Sequence, residues 1–202
     1  MLKLYEYASS GNCYKIRLLL NQLEIAYKRV PTDILKGESR TPEFLAMNPV
    51  GKTPVLEIEP GQYLAESNAI IYYLANGTDF FPTDKWECAQ VIQWLFFEQY
   101  SHEPNIATVR FWISHNSQSE LAQKGEVIAK KQELGCAALQ VMENHLAKHD
   151  YFVGNRYSIA DIALYAYTHV ADEGGFDLSK FPAILAWFDR IVHQPHHLTI
   201  IQ

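Results

Sequence analysis

Leu2-Lys3-Leu4-Tyr5-Glu6-Tyr7-Ala8-Ser9-Ser10-Gly11-Asn12-Cys13-Tyr14-Lys15-Ile16-Arg17 changes character in its middle. Leu2–Tyr7 reads as a short strand that starts at once, and Asn12–Leu23 places Ile16, Leu19, Leu20 and Leu23 on one face of a helix. Ser10 stands at the strand-to-helix turn, near backbone N–H groups and the positive end of a helix dipole. A hydroxyl there either caps the helix or favours an anion, and a thiolate is one such anion.

Outward from this turn the first 76 residues mix short β and helical runs. Ala26–Val30 reads as a second strand, and Thr41-Pro42-Glu43-Phe44 as a helix start with a hydroxyl cap and proline at the first helical position. Thr53–Ile58 and Gln62–Ala65 form a hairpin around Glu59-Pro60-Gly61, and Glu66–Asn76 is a helix stopped by Gly77. The order is β-α-β-α-β-β-α. Residues 77–84 read as a linker, and 85–202 as an all-helical domain with helical spacing over 85–115, 119–148, 158–172 and 182–193. Within it Tyr157-Ser158-Ile159-Ala160-Asp161-Ile162 is a capping box with a hydrophobic staple, which makes Asp161 structural.

Composition narrows the class. The 202 residues are 48% hydrophobic and 20% charged, ordinary for a globular chain. The net charge of −6 (17 basic against 23 acidic) gives a nucleic-acid partner no electrostatic support. No apolar run approaches the ~20 residues that span a bilayer, and the N-terminus lacks a signal-peptide pattern. No membrane partner is expected, and three scattered cysteines, Cys13, Cys88 and Cys136, suit a reducing cytoplasm. His145 and His149 lie four apart on a helix, but no metal site is expected.

Two further segments carry chemistry. In Asn48-Pro49-Val50-Gly51-Lys52-Thr53-Pro54-Val55-Leu56 the proline interrupts a strand-like run. Either it is an edge-strand proline, or a cis Thr53–Pro54 bond turns the chain and leaves the Thr53 backbone to pair with an extended peptide. In Ala65-Glu66-Ser67-Asn68 the serine sits at a helix N-terminus, as an ordinary cap or as a carboxylate site with Glu66 ready for an ammonium group. Ammonium and carboxylate on one carbon describe an α-amino acid end.

Ser10, Lys52-Thr53-Pro54 and Glu66-Ser67, in this order and spacing, resemble the glutathione-binding domain of cytosolic glutathione transferases, and the resemblance runs over essentially the whole chain. It implies a thioredoxin-like α/β domain over residues 1–76 followed by the all-α domain, and a bacterial serine-type member that acts in detoxification. Ser10 matches the active-site serine, and Asn12 an asparagine that contacts the glutathione sulfur in some bacterial relatives. Thr53 matches the residue before the cis-proline, Pro54, whose backbone holds the cysteinyl part. Glu66 and Ser67 match the γ-glutamyl pair, Lys52 a polar position near the glycyl end, and Arg40, more loosely, a basic residue that reaches the glycyl carboxylate. No cofactor is implied beyond glutathione as co-substrate, and a homodimer is the usual assembly.

A free thiol has a pKa near ~8.5, and hydrogen bonds to the sulfur favour the reactive thiolate. Ser10 and Asn12 are the expected donors. Tyr5 and Tyr7 compete for that task, and Cys13 is either a redox thiol or a packing residue. The electrophile is expected to be small and apolar, with Tyr7, Asn105, Arg110 and Phe111 as candidate contacts and a kink at Pro104 making room. Arg110 meets either an anionic substrate or a surface carboxylate. Alternatives to conjugation are a glutathione-dependent disulfide reductase or peroxidase, and a non-catalytic interaction domain. Ser10-Gly11-Asn12 departs from the Ser-Ser-Cys motif of isomerase members, which puts that activity in doubt.

Overall fold

A computed structural model describes residues 1–202. The first unit, Met1–Phe81 together with Gln194–Gln202, is built on a four-stranded sheet. Its elements are β1 (Leu2–Glu6), α1 (Gly11–Gln22), β2 (Tyr27–Pro31), α2 (Pro42–Met47), β3 (Val55–Glu59), β4 (Gln62–Ala65) and α3 (Ser67–Ala75), which is the expected order. The sheet runs β2-β1-β3-β4. β1 and β2 are parallel, with Leu2 opposite Tyr27, and α1 makes the crossover between them. β3 pairs antiparallel with both neighbours, and its register with β4 shifts between Glu57 and Glu59.

Leu4, Val55 and Leu56 are fully buried, as are Ile16, Leu19 and Leu20 of α1 and Ile70 and Ile71 of α3. Ile16, Leu19 and Leu20 are three of the four residues expected on the buried face of α1, but burial is wider than a stripe: every residue from Cys13 to Leu20 is fully buried, whereas Leu23, the fourth, is only partly so. Thr41 caps α2 through its side chain with Pro42 in the first turn, also as expected. Boundaries moved slightly: the hairpin strand starts at Val55 rather than Thr53.

The segment 194–202 lies along this unit as an extended strap. Asn21 Nδ2 donates to His196 O at 2.5 Å, Tyr14 Oη to Leu198 O at 2.7 Å and Arg17 Nη2 to Ile200 O at 2.6 Å. Arg29 reaches Gln202 O, so four side chains read every second carbonyl. Arg17 and Arg29 also hold the buried Glu6 carboxylate.

The second unit, Pro82–His193, is helical. It contains α4 (Lys85–Phe97), α5 (Glu103–His115), α6 (Gln118–Gln123), α7 (Gly125–Leu146), α8 (Ile159–Thr168) and α9 (Pro182–Val192). Every residue of α8 is buried. Asp161 in its first turn accepts from Ser158 N–H at 3.0 Å, Ser158 Oγ at 3.2 Å, Phe152 N–H at 3.2 Å and Trp187 Nε1 at 3.0 Å. The capping box is therefore present, and burial still pushes the carboxyl up to about 7 against those four donors.

Two helical expectations change. The irregular turn lies at Glu98–His102, a π-helical turn, rather than at Pro104. Pro104 follows directly, in backbone that stays right-handed helical through His102 and Glu103, so its missing N–H falls inside a continuous helical run just after the π turn. The stretch 119–148 divides at Lys124 into α6 and α7, and Ser117 and Glu120 form a second capping box that opens α6.

Candidate functional site

Ser10 is the N-cap of α1, with extended backbone (φ −74°, ψ 123°), and its N–H donates to Tyr7 O at 3.0 Å. Its Oγ accepts a long hydrogen bond, 3.4 Å, from Cys13 N–H. Accepting through the oxygen leaves the hydroxyl proton to be given elsewhere. Cys13 is fully buried beneath this turn, with the side chains of Ser10 and Thr53 close to its thiol. Burial pushes its thiol up, so it packs rather than reacts.

The Thr53–Pro54 bond is cis. Pairing of β3 with β1 and β4 starts at Val55, so neither strand uses the Thr53 backbone. The loop before it is held by Asn48, which is buried: Asn48 Nδ2 donates to Lys52 O at 2.8 Å, and Asn48 Oδ1 accepts from Val50 N–H at 3.1 Å. Gly51 turns at φ +65°, and a Cβ there would lie 2.5 Å from Arg40 Nη1. Only glycine combines that dihedral with so close an approach.

Ser67 opens α3 and is buried, while Glu66 before it is exposed and held at φ +68°, an uncommon conformation for a non-glycine residue. Ser67 Oγ donates to Asn12 Oδ1 at 3.1 Å, joining the N-terminal turns of α1 and α3. Both turns present backbone N–H groups of the kind that hold anions. Ser10, Asn12, Thr53 and Ser67 therefore lie on one connected patch of the first unit.

Residues 1–76 match the family model described as glutathione S-transferase, N-terminal domain, and residues 92–195 match that of the C-terminal domain. The chain belongs to the glutathione S-transferase family. A crystal structure of a glutathione S-transferase from Pseudomonas fluorescens Pf-5 is 51% identical with a TM-score of 0.96, covering 100% of this chain and 99% of that one. Glutathione S-transferase 3 of Zea mays is 30% identical, covering 96% of this chain and 90% of its own length. The disulfide-bond oxidoreductase YfcG of Escherichia coli strain K12 is also 30% identical, covering 96% and 92%.

The remaining expected residues of this glutathione S-transferase chain are placed less uniformly. Arg40 donates to Val50 O at 2.9 Å and lies exposed against the loop that precedes Lys52. Lys52 is exposed, with its backbone carbonyl held by Asn48. Tyr5 Oη donates to Glu57 Oε2 at 3.0 Å, and burial with that carboxylate pushes the phenol up to about 12. Tyr5 thus belongs to a pair on the sheet and does not compete for thiol activation. Tyr7 is half-buried, and its carbonyl anchors Ser10.

In the helical unit, Asn105 Nδ2 donates to Ser101 O at 2.8 Å, tightening the turn after the π segment. Arg110 Nε pairs with Glu173 Oε2 at 2.7 Å, so of its two readings the structure shows the carboxylate partner. Phe111 is part-exposed and stacks on His115, ring centroids 4.4 Å apart. The His145 and His149 rings stack at 4.6 Å, and no cluster of three or more His, Cys, Asp or Glu side chains is arranged to hold a metal.

Two contributors had no clear sequence signal. Asn48 organises the loop through side-chain bonds to nearby backbone, a role its Asn-Pro context hints at. Lys15 is fully buried in α1 against Ser67 and Asn68, and charged residues almost never take such positions without partners.

Proposed function

We propose that this chain is a glutathione transferase. Glutathione lies extended along the first unit, with its γ-glutamyl end at Glu66 and Ser67, its cysteinyl backbone paired with Thr53 beside Pro54, and its glycyl end near Lys52 and Arg40. The sulfur meets Ser10 Oγ–H and the amide of Asn12, which favour the thiolate. The thiolate attacks a small apolar electrophile, forming a carbon–sulfur bond as the leaving group departs. The observation that carries this reading is the convergence of Ser10, Asn12, cis Thr53–Pro54 and Ser67 around the first turn of α1. A non-catalytic scaffold has no need of that convergence.

For the electrophile the candidate contacts are Tyr7 in the first unit and Asn105 and Phe111 in the helical unit. The assembly is a homodimer, and the compartment is a reducing cytoplasm, in keeping with three free cysteines and with no helix long and apolar enough to cross a membrane.

Calorimetric titration with glutathione, followed by assay with a chloronitrobenzene electrophile, tests the proposal. Saturable binding with conjugation is expected. A second reading, glutathione-dependent disulfide reduction, is favoured by the similarity to a relative named as a disulfide-bond oxidoreductase. Robust reduction of a small disulfide without conjugation would establish the second reading instead. Absence of glutathione binding would sink both.

A further inference from the structure

Lys15 is 0% exposed and brings its side-chain nitrogen to the first turn of α3. It stands one helical turn after Asn12, so both side chains leave α1 on the same face. Its Nζ donates to Ser67 Oγ at 3.2 Å and to Asn68 Oδ1 at 3.2 Å, on the first two residues of α3. Ser67 Oγ in turn donates to Asn12 Oδ1 at 3.1 Å.

The direction of these bonds is dictated by chemistry. An ammonium group is a donor only, so the Ser67 oxygen must accept from it. A hydroxyl has a single proton, and that proton must then be given away. In the ligand-free chain its recipient is Asn12 Oδ1, an atom that only accepts. Lys15 thus fixes Ser67 as an outgoing donor and sets an ammonium group behind the first turn of α3.

We propose that Lys15 is the specificity-determining residue that makes the α3 turn select an ionised carboxylate. The inference rests on the reading of Glu66 and Ser67 as the γ-glutamyl anchor, and it names what that anchor demands of its ligand. When the α-carboxylate docks, Ser67 turns its hydroxyl hydrogen bond from Asn12 Oδ1 to a carboxylate oxygen, keeping its proton, and the buried ammonium supplies the opposite charge. A carboxamide in the same place offers one acceptor instead of two and no charge. Its NH2 group faces backbone and hydroxyl donors, an arrangement that leaves polar groups unmatched.

The test compares glutathione with its γ-glutamyl α-carboxamide, in which only that carboxylate is neutralised, by calorimetric binding to the parent chain, Lys15→Met and Lys15→Gln. Methionine matches the length of the lysine stem and removes both charge and donor, while glutamine keeps a donor without charge. Circular dichroism melts establish that each variant is folded. The parent is expected to favour glutathione over the carboxamide by tenfold or more, Lys15→Met to approach parity, and Lys15→Gln to fall between. A lysine that only staples α1 to α3 would shift both ligands alike and leave their ratio untouched. A folded Lys15→Met or Lys15→Gln variant with the parent's ratio therefore overturns the inference. Should neither variant fold, a parent that binds both ligands equally overturns it as well. A parent that binds no glutathione instead removes the underlying assignment of the site, an outcome distinct from either.

Discussion

Arg17 Nη2 donates to the backbone carbonyl of Ile200 at 2.6 Å and to that of Ala8 at 3.0 Å, so one fully buried guanidinium ties the 194–202 strap to the loop that carries Ser10. The same group, with Arg29, neutralises Glu6. Removal of residues 196–202 strips a carbonyl partner from Asn21, Tyr14, Arg17 and Arg29 and lets water reach a buried charge cluster. We expect the unfolding free energy of the shortened chain to fall by about 2–3 kcal/mol, read as a lower urea midpoint. An unchanged midpoint would show the strap to be a passenger.

The strap also carries a pH dependence. His197 Nε2 lies 3.4 Å from Tyr14 Oη, and burial lowers the pKa of the imidazole from its ordinary 6.5. A depressed value means that the unfolded chain takes up the proton first. The contribution of His197 is thus complete above about 6.5 and is lost as pH falls through the folded value. His145 shifts in the same direction, while Asp161, raised to about 7, loses its contribution as pH rises toward 7. The comparison must therefore be made against His197→Gln. The stability gap between parent and variant should shrink between pH ~7.5 and ~5.5, measured by denaturant titration at each pH. A gap that stays constant contradicts the assignment.

Ser10 has two tasks, helix cap and proposed thiol donor, and its substitution separates them. Ser10→Ala removes the acceptor for Cys13 N–H, a loss of about 0.5–2 kcal/mol of stability. It also removes the hydroxyl proton that we assign to the glutathione sulfur. Glutathione affinity should stay near that of the parent, because the other anchors lie elsewhere on the unit. The bound thiol should titrate roughly one pH unit higher, with turnover at neutral pH reduced about tenfold. Ultraviolet titration of the bound thiolate reads the first effect directly. If Ser10→Ala is silent and Asn12→Ala is not, the donor is Asn12.

How much of this was legible in the sequence depends on what kind of interaction each feature uses. The β-α-β-α-β-β-α order was readable because Leu4, Ile16, Leu19, Leu56, Ile70 and Ile71 follow the periods that burial imposes on strands and helices. The Asp161 capping box was readable because its partners are three residues apart. Lys15 was not, because its bonds to Ser67 and Asn68 cross more than fifty residues, and a buried lysine looks like any other in the sequence. The strap left no signal for a different reason: its partners bind backbone carbonyls, which every residue has. The irregular turn lies a few residues before Pro104 rather than at it, because a proline acts on the turn that precedes it, where its missing N–H and its ring disturb the helical bonding.

Gly135, inside α7, sets two effects of opposite sign against each other. Replacing a mid-helix glycine with alanine ordinarily stabilises by about 1 kcal/mol. Here an added Cβ would lie 2.5 Å from Phe176 Cε1, 2.7 Å from Cζ and 3.3 Å from Ile106 Cγ1. Phe176 is itself buried, so its ring has little room to withdraw. Overpacking of this kind costs about 1–3 kcal/mol, which at its midpoint exceeds the propensity gain. Gly135→Ala should therefore be neutral to destabilising by up to about 2 kcal/mol, where propensity alone predicts a gain. Phe176→Leu opens a cavity and should destabilise in the parent, but it removes the ring atoms that the new methyl meets. In the double variant the alanine should then become favourable, giving a coupling of more than ~1 kcal/mol in a double-mutant cycle by thermal or chemical denaturation. Additive effects would show that the ring moves aside and that the contact does not dictate glycine at this position.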